Sequence, residues 1–438
     1  MSNKDSKKSI KGLLPLVFFL VIYVATGVLS GEFDSMPLLL GFMFTTGFAL
    51  LFDRPGEKTS LDDKLEVFAS RAGESTIIIM VLIFMLAGAF YSIAEEMGAV
   101  SSIVNLGLTV LPANALLPGL FIIGAILSFS MGTSMGTITA LAPIGVGIAE
   151  QTGMDLALVM GTVVGSAMFG DNLSFISDTT IAAIRTQGVG PRDKFKANGL
   201  IVLPAVILTI IILFFKSTGE LDAGGSYPYE LVRIIPYIVI ILTALIGWNV
   251  MTVLGSGIAV GSLVGFLMGD FGYVEWLQVL QRGMGWMQDL AMIAIVVGGV
   301  VGLMDYYGGI DYLLDFAQKK IKSKKGAEFG MAILVSLIDV ATTNNTIAII
   351  TAGPLAKQFG EEYDIDPRRT AGLLDIFSSA FQGIIPYGGQ LLVAAGIAGI
   401  SPVAIVPHAT YSFLMIVFGV LAILTGRPKF KSDLQETK

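Results

Sequence analysis

Long apolar stretches alternate with short polar ones along most of the chain. Examples occupy residues 12–30, 36–52, 75–94, 199–215 and 411–426. A helix of roughly 20 apolar residues crosses the hydrocarbon core of a bilayer, and these stretches approach that length. No series of ten-residue alternating strands, typical of membrane barrels, is visible. The pattern predicts an all-α polytopic membrane protein.

The composition agrees with this class and narrows the chemistry. Of 438 residues, 54% are hydrophobic and 14% are charged. Cysteine is absent and His408 is the only histidine, so neither a thiolate metal site nor a multi-histidine centre is expected. No basic, aromatic-rich patch indicates nucleic-acid binding. The first apolar stretch lacks a small-residue cleavage site, which favours a retained helix over a signal peptide.

An internal repeat is visible when the sequence is shifted against itself by 211 residues. Glycines and prolines coincide, among them Pro143 with Pro354, Gly161 with Gly372 and Gly88 with Gly299. These residue types fix backbone shape, so their repetition indicates repeated structure. The shift predicts a first repeat at 1–216, an extracytoplasmic linker at 217–228 and a second repeat at 229–438.

Positive charges indicate that the two repeats have opposite orientations. The basic segment 319–325 corresponds to the neutral segment 108–114, and the basic segment 192–196 corresponds to the neutral 403–407. Basic loops are retained in the cytoplasm. We therefore expect inverted-topology repeats in the cytoplasmic membrane, with both termini cytoplasmic.

The same pattern gives a coarse map of each repeat. Residues 119–150 and 330–360 are predicted as re-entrant hairpins, because each is too long for one span and has a polar centre. Residues 156–186 and 367–397 are predicted as interrupted transmembrane helices. The other elements are amphipathic segments at 60–72 and 273–286, and spans at 12–30, 36–52, 75–95, 197–215, 231–247, 250–269, 288–306 and 404–426.

Four polar or glycine-rich breaks interrupt the hairpins and the long helices. They lie at 131–137, 169–180, 342–348 and 381–390, two in each repeat. Unwound backbone at membrane depth is tolerated where it is buried or lines a wet cavity. Its carbonyl, hydroxyl and carboxylate oxygens suit a hard cation such as Na+, and inverted repeats bring such breaks together at the midplane.

Carboxylates and polar groups at the breaks are the candidate functional residues. A carboxylate costs about 2.5–3.5 kcal/mol at the bilayer centre, and Asp171, Asp178, Asp339 and Asp375 lie in such segments. Helix capping is the alternative for Asp171 and Asp178, and a helix–helix seam is the alternative for Asp375. The candidate ion-binding set is Thr133, Ser134, Thr137, Asp171, Asn172, Ser174, Ser177, Asp178, Thr179, Thr343, Asn344, Asn345, Thr346, Asp375, Ser378, Ser379 and Gln382.

The segments GTSMGT (132–137) and FGDNLSFISDTT (169–180) resemble motifs of the NhaC-type sodium/proton antiporter family, within the wider ion-transporter superfamily. Met135 replaces a tryptophan of the family pattern, and Phe175 replaces a proline. The resemblance implies exchange of Na+ for H+, and Asp171, Asn345 and Thr346 are the Na+ ligands it implies. The two departures concern the substrate pocket rather than the fold.

Two transport functions follow. The first is Na+/H+ antiport by alternating access, with Asp171 binding Na+ or a proton. The second is Na+- or H+-coupled transport of a small organic anion or amino acid. No nucleophile–base constellation indicates an enzyme, and no cofactor is expected beyond Na+ as transported or coupling ion. The sequence leaves the substrate, the stoichiometry and the oligomeric state open, a homodimer included.

Overall fold

The computed structural model describes residues 8–30, 35–175, 177–217, 227–320 and 322–428, and every regular element in these ranges is a helix. The expected all-α class is therefore confirmed. Most of the predicted linker, residues 218–226, lies outside the described residues, as do residues 1–7 and 429–438 of the termini.

The helices follow the same order in both halves. The first half contains α1 (Leu14–Ser30), α2 (Leu38–Ala49), α3 (Leu61–Ala72), α4 (Ser75–Glu96), α5 (Ala99–Val110), α6 (Leu116–Met131), α7 (Ser134–Thr152), α8 (Leu156–Leu173), α9 (Asp178–Gln187) and α10 (Pro191–Lys216). The second contains α11 (Leu231–Leu245), α12 (Val250–Met268), α13 (Tyr273–Trp286), α14 (Gln288–Tyr306), α15 (Gly309–Lys320), α16 (Lys324–Thr342), α17 (Asn345–Glu362), α18 (Pro367–Gln382), α19 (Gly389–Ala398), α20 (Pro402–Ile405) and α21 (Thr410–Thr425).

Helix ends repeat with the shift of 211 residues. The first hairpin turns between Met131 and Ser134, and the second turns between Thr342 and Asn345. Helices α9 and α19 coincide over their whole lengths under the same shift. Both hairpins and both interrupted helices thus lie where the sequence placed them.

Contacts between the halves are reciprocal. Helix α4 packs on α13 as α14 packs on α3, and α7 packs on α19 as α17 packs on α9. A two-fold relation between the halves requires this reciprocity. The α4–α13 contact is close: a Cβ added to Gly88 would lie 2.1 Å from the carbonyl oxygen of Gly283. These positions therefore admit only glycine without a shift of the backbone.

The interrupted helix α8–α9 lies at the centre of the protein, and α1 lies at its edge. In the most apolar part of Leu156–Gln187, 83% of the residues are buried. In the most apolar part of Ile10–Ser30, 22% are buried. Six described helices are long and apolar enough to cross a membrane, and shorter apolar helices accompany them. Exposed apolar side chains such as Leu29 and Leu267 suit a surface that faces lipid.

The coarse map differs from the structure in three places. Helices α5 and α15, each of which follows a glycine-containing turn, occupy residues to which the map assigns no element. Helix α10 begins at Pro191, so the basic segment 192–196 is helical rather than a loop. The last predicted span, 404–426, is divided. Its first residues belong to the short helical segment Pro402–His408, which meets α19 at 104°, and α21 begins at Thr410.

Candidate functional site

Hydrogen bonds join all four breaks at the centre of the protein. Asp171 at the end of α8 accepts a hydrogen bond from Asn345 Nδ2 at the start of α17, over 3.2 Å. Gln390 Nε2, in α19, donates to Ser134 Oγ, at the start of α7, over 3.1 Å. Gln382, at the end of α18, donates to Gln390 Oε1 over 2.6 Å. We call Ser134, Asp171, Asn345, Gln382 and Gln390 the acid–amide cluster.

Asp171 is the one carboxylate of the acid–amide cluster. Its side chain is buried, with 3% of the residue surface exposed, and the Ser134 hydroxyl lies near it. The two oxygens of a carboxylate accept from several donors or bind a cation directly. The amide of Asn345 and the hydroxyl of Ser134 come from the two hairpins. Both hairpins therefore contact the same acidic group.

The cluster is chemically asymmetric although the fold is repeated. Under the shift of 211 residues, Asp171 corresponds to Gln382, Ser134 to Asn345, and Thr179 to Gln390. The first half contributes the acid and the hydroxyls, and the second half contributes neutral amides. The equivalent positions 171 and 382 therefore contain one ionisable acid rather than two.

A buried ion pair, which sequence reasoning missed, lies beside the cluster. Lys194 Nζ is 2.9 Å from Asp375 Oδ2, and both side chains are fully buried. The same ammonium group donates to the carbonyl oxygen of Asn172 over 2.8 Å and to Thr180 Oγ1 over 2.6 Å. Asn198 Nδ2 also donates to Asp375 Oδ2, over 2.8 Å. We call Lys194 and Asp375 the lysine pair.

The lysine pair stabilises the unwound end of α8. The last carbonyl groups of a helix lack partners within it and carry partial negative charge. Lys194 and Asn198 reach the carbonyl of Asn172, and Thr179 Oγ1 donates to the carbonyl of Asp171 over 3.0 Å. Tyr411 donates to Asn172 Oδ1 over 2.9 Å. The break after α8 is thus held by side chains from both halves.

The sequence spacing of Lys194 and Asn198 could have predicted that Lys194 is buried. Lys194 and Asn198 are four residues apart and lie on one helix face. Arg192 and Lys196, on either side, are exposed. The positive-inside rule treats all three basic residues as exposed charges of a cytoplasmic loop. It therefore did not distinguish the buried Lys194 from its exposed neighbours.

Several predicted ligands cap helices. Thr133, Ser177 and Asn344 are the N-caps of α7, α9 and α17. A cap side chain accepts a hydrogen bond from an amide that has no partner in the helix. The capping alternative therefore describes Ser177 rather than Asp178, which is exposed in the first turn of α9.

The other candidates have local partners or lie near the cluster. Thr137 and Ser378 donate to carbonyl groups of their own helices, and Ser174 donates to the carbonyl of Phe129. The Thr343 carbonyl accepts from Gln382 over 3.2 Å. The Thr346 amide donates to Asn345 Oδ1 over 3.0 Å, and its side chain is half-buried. Ser379 Oγ is buried without a hydrogen-bond partner among the described residues.

The two departures from the family motif lie in different surroundings. Met135 lies at the start of α7 against Gly389, where a Cβ on that glycine would be 3.5 Å from the methionine sulfur. Phe175 is partly exposed and stacks on Phe195 at a ring separation of 4.7 Å. Only Met135 is therefore adjacent to the acid–amide cluster.

Two cavities open near the site. A cavity of about 710 Å³ lies between the α9–α10 turn and the ends of α17 and α18, lined by Asp193, Lys357 and Arg368 among others. A crevice of about 60 Å³ leads past Arg71 to Thr343 and Asn344 at the tip of the second hairpin. The crevice has room for a few water molecules or a partly hydrated ion.

Sequence comparisons identify relatives along nearly the whole chain. The arginine/ornithine antiporter ArcD of Halobacterium salinarum is 22% identical, over 98% of this chain and 94% of its own. The Na+/H+ antiporter NhaC of Bacillus subtilis is 24% identical, over 96% and 99%. The malate-2H+/Na+-lactate antiporter of Bacillus subtilis is 23% identical, over 95% of each chain.

Relatives with different named substrates are thus about equally similar to this chain. Sequence identity therefore indicates the family but does not distinguish between the substrates. A sequence model of the Na+/H+ antiporter family matches residues 7–216 and 228–427, which is most of the chain. Together with the apolar helices, this match shows that the chain is a multi-pass membrane protein, a secondary transporter that belongs to the Na+/H+ antiporter family.

Proposed function

We propose that this protein exchanges Na+ for H+ across the cytoplasmic membrane by alternating access, with both termini in the cytoplasm. The observation that carries the proposal is the buried Asp171 carboxylate, which meets groups from both hairpins at the junction of four helix ends. Such half-helix ends at the midplane are where transporters of inverted-repeat type bind ions.

The chemistry of the cluster suits Na+. Hard cations take oxygen ligands. The Asp171 carboxylate, the Ser134 hydroxyl and the Asn345 and Thr343 carbonyl groups supply them. Gln382 Oε1 is a further acceptor, buried without a hydrogen-bond partner among the described residues. Asn345 Oδ1 accepts from the Thr346 amide over 3.0 Å and has a second lone pair for Na+.

Coupling of Na+ movement to H+ movement follows if one carboxylate binds either Na+ or a proton, but not both at once. A proton and Na+ neutralise the same charge, and binding one excludes the other. Only the neutralised site passes the hydrophobic barrier at low cost, because an ionised carboxylate in the membrane is unfavourable. The two cavities lie beside the basic residues Lys357, Arg368 and Arg71. By the positive-inside rule, this end faces the cytoplasm.

Purified protein in liposomes with an imposed pH gradient tests the proposal. We expect Na+ to dissipate the gradient, and K+, arginine, ornithine, malate and lactate to leave it intact. The narrow crevice at the hairpin tip favours an ion over these organic solutes. Dissipation by an organic solute, with Na+ alone inactive, would support the organic-solute transporter and contradict Na+/H+ exchange.

Asp171→Asn tests the residue itself. The amide keeps the shape of the side chain and removes its charge and its proton, so the protein is expected to fold and to lose Na+-driven proton movement. Asp155→Asn is the matched control, because Asp155 caps the other end of α8, its side chain is 57% exposed and asparagine caps as well. Exchange at the wild-type rate in Asp171→Asn would place coupling elsewhere.

A further inference from the structure

The lysine pair consists of two buried charges that the repeated fold does not require. Under the shift of 211 residues, Lys194 corresponds to Ile405 and Asp375 to Val164, and both apolar side chains are fully buried. Helix α20 packs on α8 as α10 packs on α18. Replacing a buried ion pair by apolar side chains is often neutral or stabilising. Stability alone therefore does not account for the two charges.

The polar neighbours of the pair also have no polar counterparts in the repeat. Asn198 donates to Asp375, and Thr180 accepts from Lys194. The residues that correspond to Asn198 and Thr180 are Ala409 and Leu391, again buried and apolar. The first half thus gathers polar groups around one ammonium group where the second half has an apolar contact.

Oxygen atoms surround the ammonium group of Lys194. Its Nζ lies 2.9 Å from Asp375 Oδ2 and 2.6 Å from Thr180 Oγ1. The carbonyl oxygens of Asn172 and Asp171, at the unwound end of α8, lie 2.8 Å and 3.4 Å away. Carboxylate, hydroxyl and carbonyl oxygens are the ligands that hard cations take. Asp375 Oδ1, buried without a hydrogen-bond partner among the described residues, is a further acceptor.

We propose that these oxygens form a second cation site, in which the ammonium group of Lys194 is the covalently tethered occupant. Without that group, the site takes Na+ or another small monovalent cation. Lys194 neutralises Asp375 throughout the transport cycle, so only the cation at Asp171 is exchanged. Each of the two carboxylates then has one positive partner. The role of Asp171 rests on the proposed function, and the cation site at Asp375 does not.

A route from solvent leads close to this site. The cavity of about 710 Å³ is lined by Asp193, which precedes Lys194 in α10, and by Thr370, which precedes Asp375 by five residues in α18. Shortening the side chain of Lys194 therefore leaves an oxygen-lined space close to water. Such a space is polar, as the binding of water or of an ion requires.

Thermal melting of purified full-length variants tests the site. Lys194→Ala removes the ammonium group and leaves space, whereas Lys194→Met removes the charge and fills the space of the stem. Both are made in the Asp171→Asn protein, so that the cation site at Asp171 does not contribute. On replacing choline chloride by NaCl, the melting temperature should rise by several degrees in the alanine variant and stay constant in the methionine variant. A ligand stabilises the folded state that binds it.

Counting bound Na+ separates this inference from the proposed function. Equilibrium dialysis with radioactive Na+ should show one more bound ion per protein in Lys194→Ala than in the wild type. If the wild type binds no Na+, the proposed function fails, and the ion gained in Lys194→Ala still supports the second site. Lys194→Ala combined with Asp375→Asn should show no gain, because the carboxylate is absent.

Lys64→Ala is the matched control. Lys64 is also buried and pairs with Asp53 over 3.1 Å, but the Asp53 side chain is 49% exposed. Water hydrates that carboxylate when the lysine is removed, so no bound Na+ should be gained.

A second variant, Lys194→Ser, leaves similar space and serves if the alanine variant is not recovered. An unchanged Na+ count, or an equal effect of Na+ on the alanine and methionine variants, would overturn the inference. Failure of both small variants to fold in NaCl, while Lys194→Met with Asp375→Leu folds, would overturn it as well, because Na+ should replace the lost charge.

Discussion

Asp171 shows how a repeated fold produces a single-charge site. Its counterpart is Gln382, which has a similar length and hydrogen-bonding capacity but no charge. Two carboxylates at these positions would repel and would bind two cations. One acid with amide neighbours is neutralised by one Na+ or one H+. In the proposed function, this difference between two side chains sets how many cations the equivalent positions bind.

Asn345 should contribute to Na+ affinity without carrying charge. Asn345→Ala removes one amide oxygen and the hydrogen bond to Asp171, and strands no charge. The hydrogen bond belongs to the Na+-free protein, so weaker binding must come from the lost ligand oxygen. If that contact with the cation is worth about as much as a hydrogen bond to a charged group, about 1.5–3 kcal/mol, affinity falls roughly tenfold to hundredfold. Calorimetric titration with Na+ measures the change.

The control for that variant is Asn105→Ala. Asn105 donates to the carbonyl of Pro228, away from the acid–amide cluster, over 2.7 Å. Its removal should leave Na+ affinity as in the wild type. Equal affinities in Asn345→Ala and the wild type would remove Asn345 from the set of Na+ ligands.

The sequence predicted Asp171 and Asn345 because polar groups inside apolar segments are costly and therefore conspicuous. It did not predict Lys194, since a basic residue among basic neighbours at a helix start looks like a loop charge. Gln390 belongs to a break that was recognised, but was not named as a ligand. The contacts between halves that select these residues depend on tertiary structure, which a local pattern does not contain.

Interrupted helices require side chains to satisfy their free ends. Of the polar residues at the breaks, Thr133, Ser177 and Asn344 cap helices, and others reach into the cluster. Both roles need short oxygen-bearing side chains, so sequence alone did not separate them. The break positions themselves were predictable, because each contains glycine or several polar residues between apolar runs.

The lysine pair connects α10 of the first half to α18 of the second, and we expect it to behave as a buried ion pair. Lys194→Met strands the Asp375 carboxylate, which should cost about 3–5 kcal/mol of stability. Lys194→Met with Asp375→Leu removes both charges and should recover most of the thermal stability. Melting of the purified proteins in detergent measures both effects.

A double variant no more stable than Lys194→Met would show that the pair is not the source of the loss. Arg369→Met gives a comparison at another buried pair, since Arg369 contacts Glu328 and the carbonyl of Ala422 at the ends of α16 and α21. It too should lower the melting temperature.

The whole molecule is organised by reciprocal packing of two halves. We predict five crossings in each half, by α1, α2, α4, α8 with α9, and α10 and by their counterparts. Because five is an odd number, the second half would then enter the membrane from the opposite side. The basic segments give the direction of this inversion. The shift of 211 residues predicted this arrangement because glycine and proline record backbone shape even where other residues have diverged.

Cysteine labelling in intact cells tests the topology. The chain has no native cysteine, so single substitutions report cleanly. Cysteines at Gly190 and Ser323 should react only with reagents that reach the cytoplasm, and cysteines at Asn114 and Ser401 should react from outside. Labelling of Gly190 and Ser401 from the same side would contradict the inversion, because these positions are equivalent under the repeat.

The pH dependence of Na+ binding shows whether Asp171 binds both Na+ and a proton. If Asp171 binds either cation, protons compete with Na+, and the apparent Na+ affinity of the purified wild-type protein must fall as the pH is lowered. Asp171→Asn should bind Na+ weakly at every pH, whereas Asp155→Asn should follow the wild type. A wild-type Na+ affinity independent of pH, or an Asp171→Asn variant with the wild-type affinity and pH dependence, would contradict the account.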